Sequence, residues 1–396
     1  MRWEAPLTAL RDGRQQGRIP ILCIVRSFIV MFLSRLGSLN ALSQTRRSRF
    51  WSGLLPNGKL SSADTLGRVA AKMFADDVRA ILRHVYSRLK RGKALPDLLC
   101  GLSAAIVDGH ETHATYKRHC SGCLARKIKT AKGERTQYYH RYVAIHLLTG
   151  NLKLMLDAEP QRAGEDEAAC ALRLLQRVLR DYPRAFDVVL ADGLYARAEF
   201  FNCMSAHGKY VLATLKDENR ILLQDARGLF ATMAPTQVRD GAVHRTCWDA
   251  EGFTTWPQVN GLVRVVRSVE RQTVRRQLDG QQEQVESEWF WVTTLPQKLA
   301  ATGAVVYLGH GRWSIENRGF NELANRWHAD HVYRHEPTAM LVLWLMAMLC
   351  LNVFGAFYQR NLKPAARKAA SMLHVSRQIA AELYAQIPKG APAAPT

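Results

Sequence analysis

Asp108, Asp192 and Glu316 stand in three settings that suit metal-assisted chemistry. Asp108 follows the apolar run Ala104-Ala105-Ile106-Val107, Asp192 follows Val188-Val189-Leu190-Ala191, and Glu316 lies inside Arg312-Trp313-Ser314-Ile315-Glu316-Asn317. Carboxylate oxygens are the preferred ligands of Mg²⁺. Two carboxylates delivered by strands and a third by a helix can hold hard divalent ions, which activate an oxygen nucleophile for attack at phosphorus. Taken singly, an aspartate after an apolar strand is more often a turn or cap residue; the combination is what points to a site. Each aspartate is followed by glycine, Gly109 or Gly193, which permits a sharp turn and leaves room for a phosphate. Arg312 precedes Glu316 by four positions, so on one helix the two share a face, and a guanidinium there can grip a phosphate in a bidentate contact.

The surrounding pattern supplies the strands and helices such a site needs. Ser103–Asp108, Tyr142–Leu148 and 151–156 read as short strands, the last two joined at Thr149-Gly150. Glu165–Arg180 carries apolar residues at helical steps and stops at Tyr182-Pro183, before a strand at Phe186–Ala191, a helix at Ala196–His207 and a strand at Lys209–Leu215. That order predicts an α/β fold, a mixed sheet flanked by helices. Residues 217–300 alternate charged and aromatic residues, include Trp248, Trp256, Trp289 and Trp291, and hold strand-like runs at Gly261–Val269 and Ser287–Thr294, so a β-rich insertion is expected there. Gly311–Trp327 reads as helix again, and an apolar helix at 339–358 is placed to close the sheet. Residues 1–98 form a basic helical region, with helices through Ile21–Leu39 and Leu66–Leu89, N-cap chemistry at Ser61-Ser62-Ala63-Asp64 and a boundary at Leu95-Pro96-Asp97. Residues 361–396 form a basic, alanine-rich helical tail.

Composition narrows the partners. The 396 residues are 47% hydrophobic, enough for a sizeable core rather than a disordered chain. Lys and Arg number 55 against 34 Asp and Glu, a formal charge of +21 that favours polyanions. Residues 1–96 hold 18 of the basic residues and five of the acidic ones, so a phosphate backbone is expected to be gripped first at that end. Eight scattered cysteines lack the dense spacing of a secreted disulfide scaffold and fit a reducing compartment. The apolar stretch Ile21–Leu33 contains Arg26, which argues against a signal peptide, and the run Ala339–Tyr358 is broken by Asn352, so a buried core helix is expected rather than a membrane span.

Asp108-Gly109, Asp192-Gly193-Leu194-Tyr195 and Arg312-Trp313-Ser314-Ile315-Glu316-Asn317 resemble the three signature blocks of bacterial insertion-sequence transposases, which carry a DDE triad on an RNase H-like fold. The resemblance covers most of residues 60–360 and takes in Lys59–Arg68, which is similar to the segment preceding the catalytic domain. It implies that Asp108, Asp192 and Glu316 bind Mg²⁺, with Mn²⁺ able to substitute, and that 99–216 and 301–360 are the two parts of the catalytic core around the insertion. It also implies that Arg312 contacts DNA phosphate, that the partners are double-stranded transposon ends and target, and that the protein works as a homodimer on DNA in the bacterial cytoplasm, at the nucleoid. The reaction implied is cleavage at the element's ends followed by strand transfer. Two positions depart from the family's pattern: Gly309 stands where a tyrosine precedes the arginine by three, and Leu323 where a lysine follows the glutamate by seven. Tyr307 is then the displaced tyrosine, and Arg318 or Arg326 the substitute cation. Trp248 or Trp256 is a candidate to stack on an unpaired base. A transposase-derived DNA-binding protein without catalysis and a structure-specific nuclease using the same triad are alternatives that the residues leave open.

His119-Cys120-Ser121-Gly122-Cys123 is half of a zinc site, but no second ligand pair occurs at a familiar spacing, so zinc is not expected and the cysteines read as free thiols in a loop. The basic run Arg126, Lys127, Lys129, Lys132 and Arg135 reads as a DNA-facing loop near Asp108. His328, His331 and His335 have helical spacing without an acidic or cysteine complement and are expected to be structural or to contact phosphate.

Overall fold

Ala104–Val107 and Val188–Ala191 are buried along their whole length, as strands covered on both faces must be. They belong to β1 and β5 of a set comprising β1 Ala104–Thr115, β2 Leu124–Thr130, β3 Gly133–Leu148, β4 Leu154–Pro160, β5 Val188–Ala191, β6 Tyr210–Thr214, β7 Thr236–Asp240, β8 Val243–Phe253, β9 Val263–Arg275 and β10 Gln282–Thr293. The computed structural model describes residues 4–95, 101–131, 133–150, 152–218, 220–241, 243–275 and 280–388. The expected boundary at Pro96-Asp97, the strand start at Asn151, Lys132 and the end of the tail lie outside them. The chain divides into one unit made of Met1–Pro96, Gly109–Tyr182 and Ile315–Thr396, and a second made of Asp97–Asp108 and Pro183–Ser314. The fold is mixed α/β, with strands in both parallel and antiparallel pairs and flanking helices, consistent with an RNase H-like architecture.

In the second unit the strand order is β1-β5-β6-β10-β9-β8-β7. β1, β5 and β6 run parallel, and β10 joins β6 antiparallel. The long β9–β10 ribbon pairs from Arg264 opposite Thr293 to Arg275 opposite Gln282, and β8 and β7 extend it. The expected strands at 261–269 and 287–294 are thus present, but the insertion is not all β, because Ile221–Thr232 is a helix that buries Leu222, Leu223, Ala226 and Phe230. Arg264 is buried among these strands and donates to both oxygens of Asp249 at 2.8 and 2.5 Å.

In the first unit β3 pairs antiparallel with β2 through Gly133–Tyr139 and, across Thr149-Gly150, with β4 through Tyr142–Leu147. The basic run expected to be a loop is therefore a hairpin. Its alternation explains why: Arg126 turns to Glu111 and Gln137 while Lys127 and Lys129 face solvent. The apolar helix Pro337–Arg360 is long enough to cross a membrane, yet most of it is buried against Ala75–Arg91, Ile21–Leu33 and β4. Asn352, which breaks its apolar run, accepts from the Met155 backbone N–H at 2.9 Å and donates to the Met155 carbonyl at 2.7 Å. The interruption thus docks the helix on β4.

Two expected long helices are broken. The first ends at Leu33, where Arg35 (φ 53°) and Gly37 (φ 75°) take left-handed backbone, and a short helix resumes at Leu39. The second divides into Ala63–Ala70, capped by the Ser62 side chain, and Ala75–Arg91, because Phe74 is extended.

Candidate active site

The parallel register Ala104↔Val188, Ala105↔Val189, Ile106↔Leu190 places β1 and β5 side by side, and the same offset carried on two positions sets Asp108 level with Asp192. Asp192 lies just beyond β5, where the chain turns into the short 3₁₀ turn Gly193–Tyr195. A Cβ on Gly193 would come 3.2 Å from the Thr214 carbonyl oxygen, so glycine is favoured where this turn crosses the end of β6. Asp108 behaves differently from the expectation of a strand end: β1 runs on to Thr115, and Gly109 is a strand residue. The Glu167 carboxyl lies over it, its carbon 2.3 Å from where a Cβ would stand.

Each aspartate faces a cation. Arg312 donates from Nη1 to Asp108 Oδ2 at 3.1 Å, both side chains being nearly buried. Lys216, two residues past β6, donates from Nζ to Asp192 Oδ1 at 3.2 Å. Burial alone would raise the Asp192 carboxyl, but the Gly193 backbone N–H, the Lys216 ammonium and the nearby Arg312 outweigh it and hold it below the usual aspartate range. Two carboxylates set level by the β1–β5 register, each in contact with a cation, are hard oxygen donors of the kind a divalent ion takes.

A profile of the family described as the transposase DDE domain matches residues 100–353, well over half of the chain. The chain belongs to the DDE transposases. No curated protein matches it. The family carries out phosphoryl transfer on DNA and generally uses divalent metal ions.

In this DDE transposase Glu316 lies on the first unit, exposed on a π-helical turn, Ile315–Phe320. The single helix expected over Gly311–Trp327 is resolved into the end of Thr302–Gly311, that turn and Asn321–Trp327. The four-residue spacing of Arg312 and Glu316 therefore no longer implies a shared helical face. Such π turns recur at functional sites.

The residues around the arginine account for the departures from the family's pattern. A Cβ on Gly309 would lie 2.4 Å from the Trp291 ring, so no tyrosine fits there. Tyr307, two residues earlier on the same helix, is 53% exposed. Leu323 is fully buried, whereas Arg326 is exposed and Arg318 donates to the Gly150 carbonyl at 3.2 Å. Lys127 pairs with Glu134 at 3.0 Å on the exposed face that also carries Lys129. Trp248 lies under the Arg267 guanidinium, 4.4 Å from its ring centroid, and Trp256 packs against Phe201 and Arg220, so both have protein partners.

Lys216 was not singled out by sequence reasoning, although its signal was available: like the aspartates, it follows an apolar strand. The aromatic cluster of Trp289, Trp291, His310 and Trp313 beside Arg312 was also missed. Its members come from a strand, a helix and the turn after that helix, with no common spacing. His310 anchors it through a 2.7 Å contact with Glu270, and Trp313 remains 42% exposed.

Proposed function

We propose that this chain is a DNA transposase that cleaves the ends of its element and joins them to target DNA, using Mg²⁺, with Mn²⁺ as a substitute, held by Asp108, Asp192 and Glu316. The observation that carries the proposal is the level placement of Asp108 and Asp192 on adjacent parallel strands, each matched by a cation, inside a transposase DDE domain. When bound, the divalent ions supply Lewis-acid activation of the attacking oxygen and charge stabilisation at the leaving oxygen. Asp192, held below the usual aspartate range, presents a carboxylate already ionised at neutral pH, and Asp108 would supply the second carboxylate beside it. Arg312, which donates to Asp108, would hold the scissile phosphate through its planar fork. Lys216 stands at Asp192 as a second phosphate contact. Tyr307, Arg318, Arg326, Lys127 and Lys129 are exposed or rim-placed donors for the DNA backbone, and Trp313 offers a ring on which a base can stack. No side chain forms a covalent bond to DNA, so successive oxygen nucleophiles can use one site. We further propose that two copies act together on paired ends, in a bacterial cytoplasm.

The test is an assay of purified protein with Mg²⁺ and a duplex carrying the DNA that flanks its coding region, together with a supercoiled target. The proposal expects nicking at the element end and joined products, both lost in Asp108→Asn, Asp192→Asn and Glu316→Gln while end binding persists. End cleavage without any joined product would favour a hydrolytic nuclease instead. Binding without cleavage by the unaltered protein would favour a non-catalytic DNA-binding role.

A further inference from the structure

The structure closes the half-site that the sequence left open. Cys120 and Cys123 lie on the tight turn that enters β2, where the Cys123 backbone N–H donates to the Cys120 carbonyl at 3.1 Å and the Cys120 N–H points at Cys123 Sγ at 3.3 Å. Pairing of Leu124 with Tyr139 in the β2–β3 hairpin brings His140 of β3 beside Cys123. His335, more than 200 residues away in sequence, arrives just ahead of Glu336, whose side chain caps the Pro337–Arg360 helix. All four side chains belong to the first unit.

Their ligating atoms form one compact cluster. Cys120 Sγ and Cys123 Sγ are 3.8 Å apart, His140 Nε2 is 3.4 Å from Cys120 Sγ and 3.2 Å from Cys123 Sγ, and His335 Nε2 is 3.4 Å from Cys123 Sγ. All four atoms fall within 4.8 Å of one another. For a tetrahedral zinc with ordinary bond lengths the edges are about 3.8 Å between sulfurs and about 3.5 Å from sulfur to nitrogen. The sulfurs are too far apart for a disulfide, which requires about 2.05 Å. Gly122 keeps this turn close to the start of the helix: a Cβ there would sit 3.0 Å from Pro337, a tight contact.

We infer that Cys120, Cys123, His140 and His335 form a structural zinc site, independent of the carboxylate triad, that ties the β2–β3 hairpin to the start of the Pro337–Arg360 helix. Two thiolates and two neutral imidazoles around Zn²⁺ make an electrically neutral centre, which suits a half-buried place near the side chains of His113 and Arg118. Both thiols lose a proton on binding, so two protons are released for each zinc. With four protein ligands the shell is closed, which assigns the ion to holding structure rather than to the reaction. Soft sulfur donors also separate it chemically from the Mg²⁺ expected at the carboxylates.

The test uses the full chain purified from zinc-supplemented medium. Elemental analysis is expected to find about one zinc per chain, retained in Asp108→Asn and Asp192→Asn and falling at least about tenfold in Cys120→Ser/Cys123→Ser and in His335→Ala. Should those variants fail to fold, Co²⁺ titration of the unaltered chain decides: the expected spectrum has the strong visible bands of a tetrahedral centre and a near-ultraviolet thiolate-to-cobalt band. The inference is overturned if zinc stays below about a tenth per chain, if the double cysteine variant folds and keeps its zinc, or if Co²⁺ gives only the weak spectrum of an octahedral, oxygen-ligated ion.

Discussion

Lys216 donates a charged hydrogen bond to Asp192, and the consequence is measurable. Asp192 lies below the ordinary aspartate range because its N–H and cationic partners overcome burial. A depressed carboxyl stabilises the fold above its unfolded value and loses that contribution as pH falls through the folded value. Asp192 therefore stays ligand-competent from neutral pH into the acid range. Lys216→Ala is expected to move its titration midpoint upward in carboxyl-carbon NMR, and an unmoved midpoint would show that Lys216 does not set it. Gly309 gives a second case. Replacing it with tyrosine, the residue of the family's pattern, drives a Cβ against Trp291, so Gly309→Tyr should destabilise the protein by about 1–3 kcal/mol in denaturant unfolding. Unchanged stability would mean that the Trp291 ring yields freely.

The packed elements of the first unit rest on an unusual charged layer. Arg79 and Arg177, from two helices, reach Asp157 on β4 at 3.0 and 2.6 Å, and together with Arg173 they also pair with Glu159. Asp157 is almost wholly buried, so Asp157→Ala removes one of the two β4 carboxylates that balance these guanidinium groups and should lower unfolding stability by about 3–5 kcal/mol. A loss under about 1 kcal/mol would show that water or Glu159 replaces it. This layer also illustrates what the sequence could and could not disclose. The strands, the helix after Glu165 and the buried 339–358 helix were legible because apolar spacing records which face is covered. β2 and the first half of β3 were not, since an exposed hairpin alternates charges rather than apolar residues. The helix at Ile221–Thr232 was obscured by the aromatic strands that follow it. At the site, Asp108 and Asp192 could be picked out from their apolar strands, whereas His140 and His335 could not, because His140 meets Cys120 and Cys123 through hairpin pairing and His335 arrives from 212 residues beyond Cys123.

The charge of the whole chain governs its encounter with DNA. A net charge of +21, concentrated toward residues 1–96, makes counterion release the main source of affinity. If six or more phosphates are neutralised, binding to a random duplex should weaken by roughly 10³-fold or more between 50 and 200 mM salt, as measured by fluorescence anisotropy. A shallow dependence would mean that most of the charge faces away from DNA. The division of the carboxylates is more pointed, since Asp108 and Asp192 belong to one compact unit and Glu316 to the other. A shared metal requires all three at one place on DNA. The most direct measurement substitutes Fe²⁺ for Mg²⁺ in the zinc-loaded, DNA-bound protein and maps where the peroxide-generated radicals cut the polypeptide. Cuts clustered around Asp108, Asp192 and Glu316, all suppressed by excess Mg²⁺, are the predicted result. Cuts that spare either the aspartate segments or the Glu316 turn would contradict a single three-carboxylate metal site.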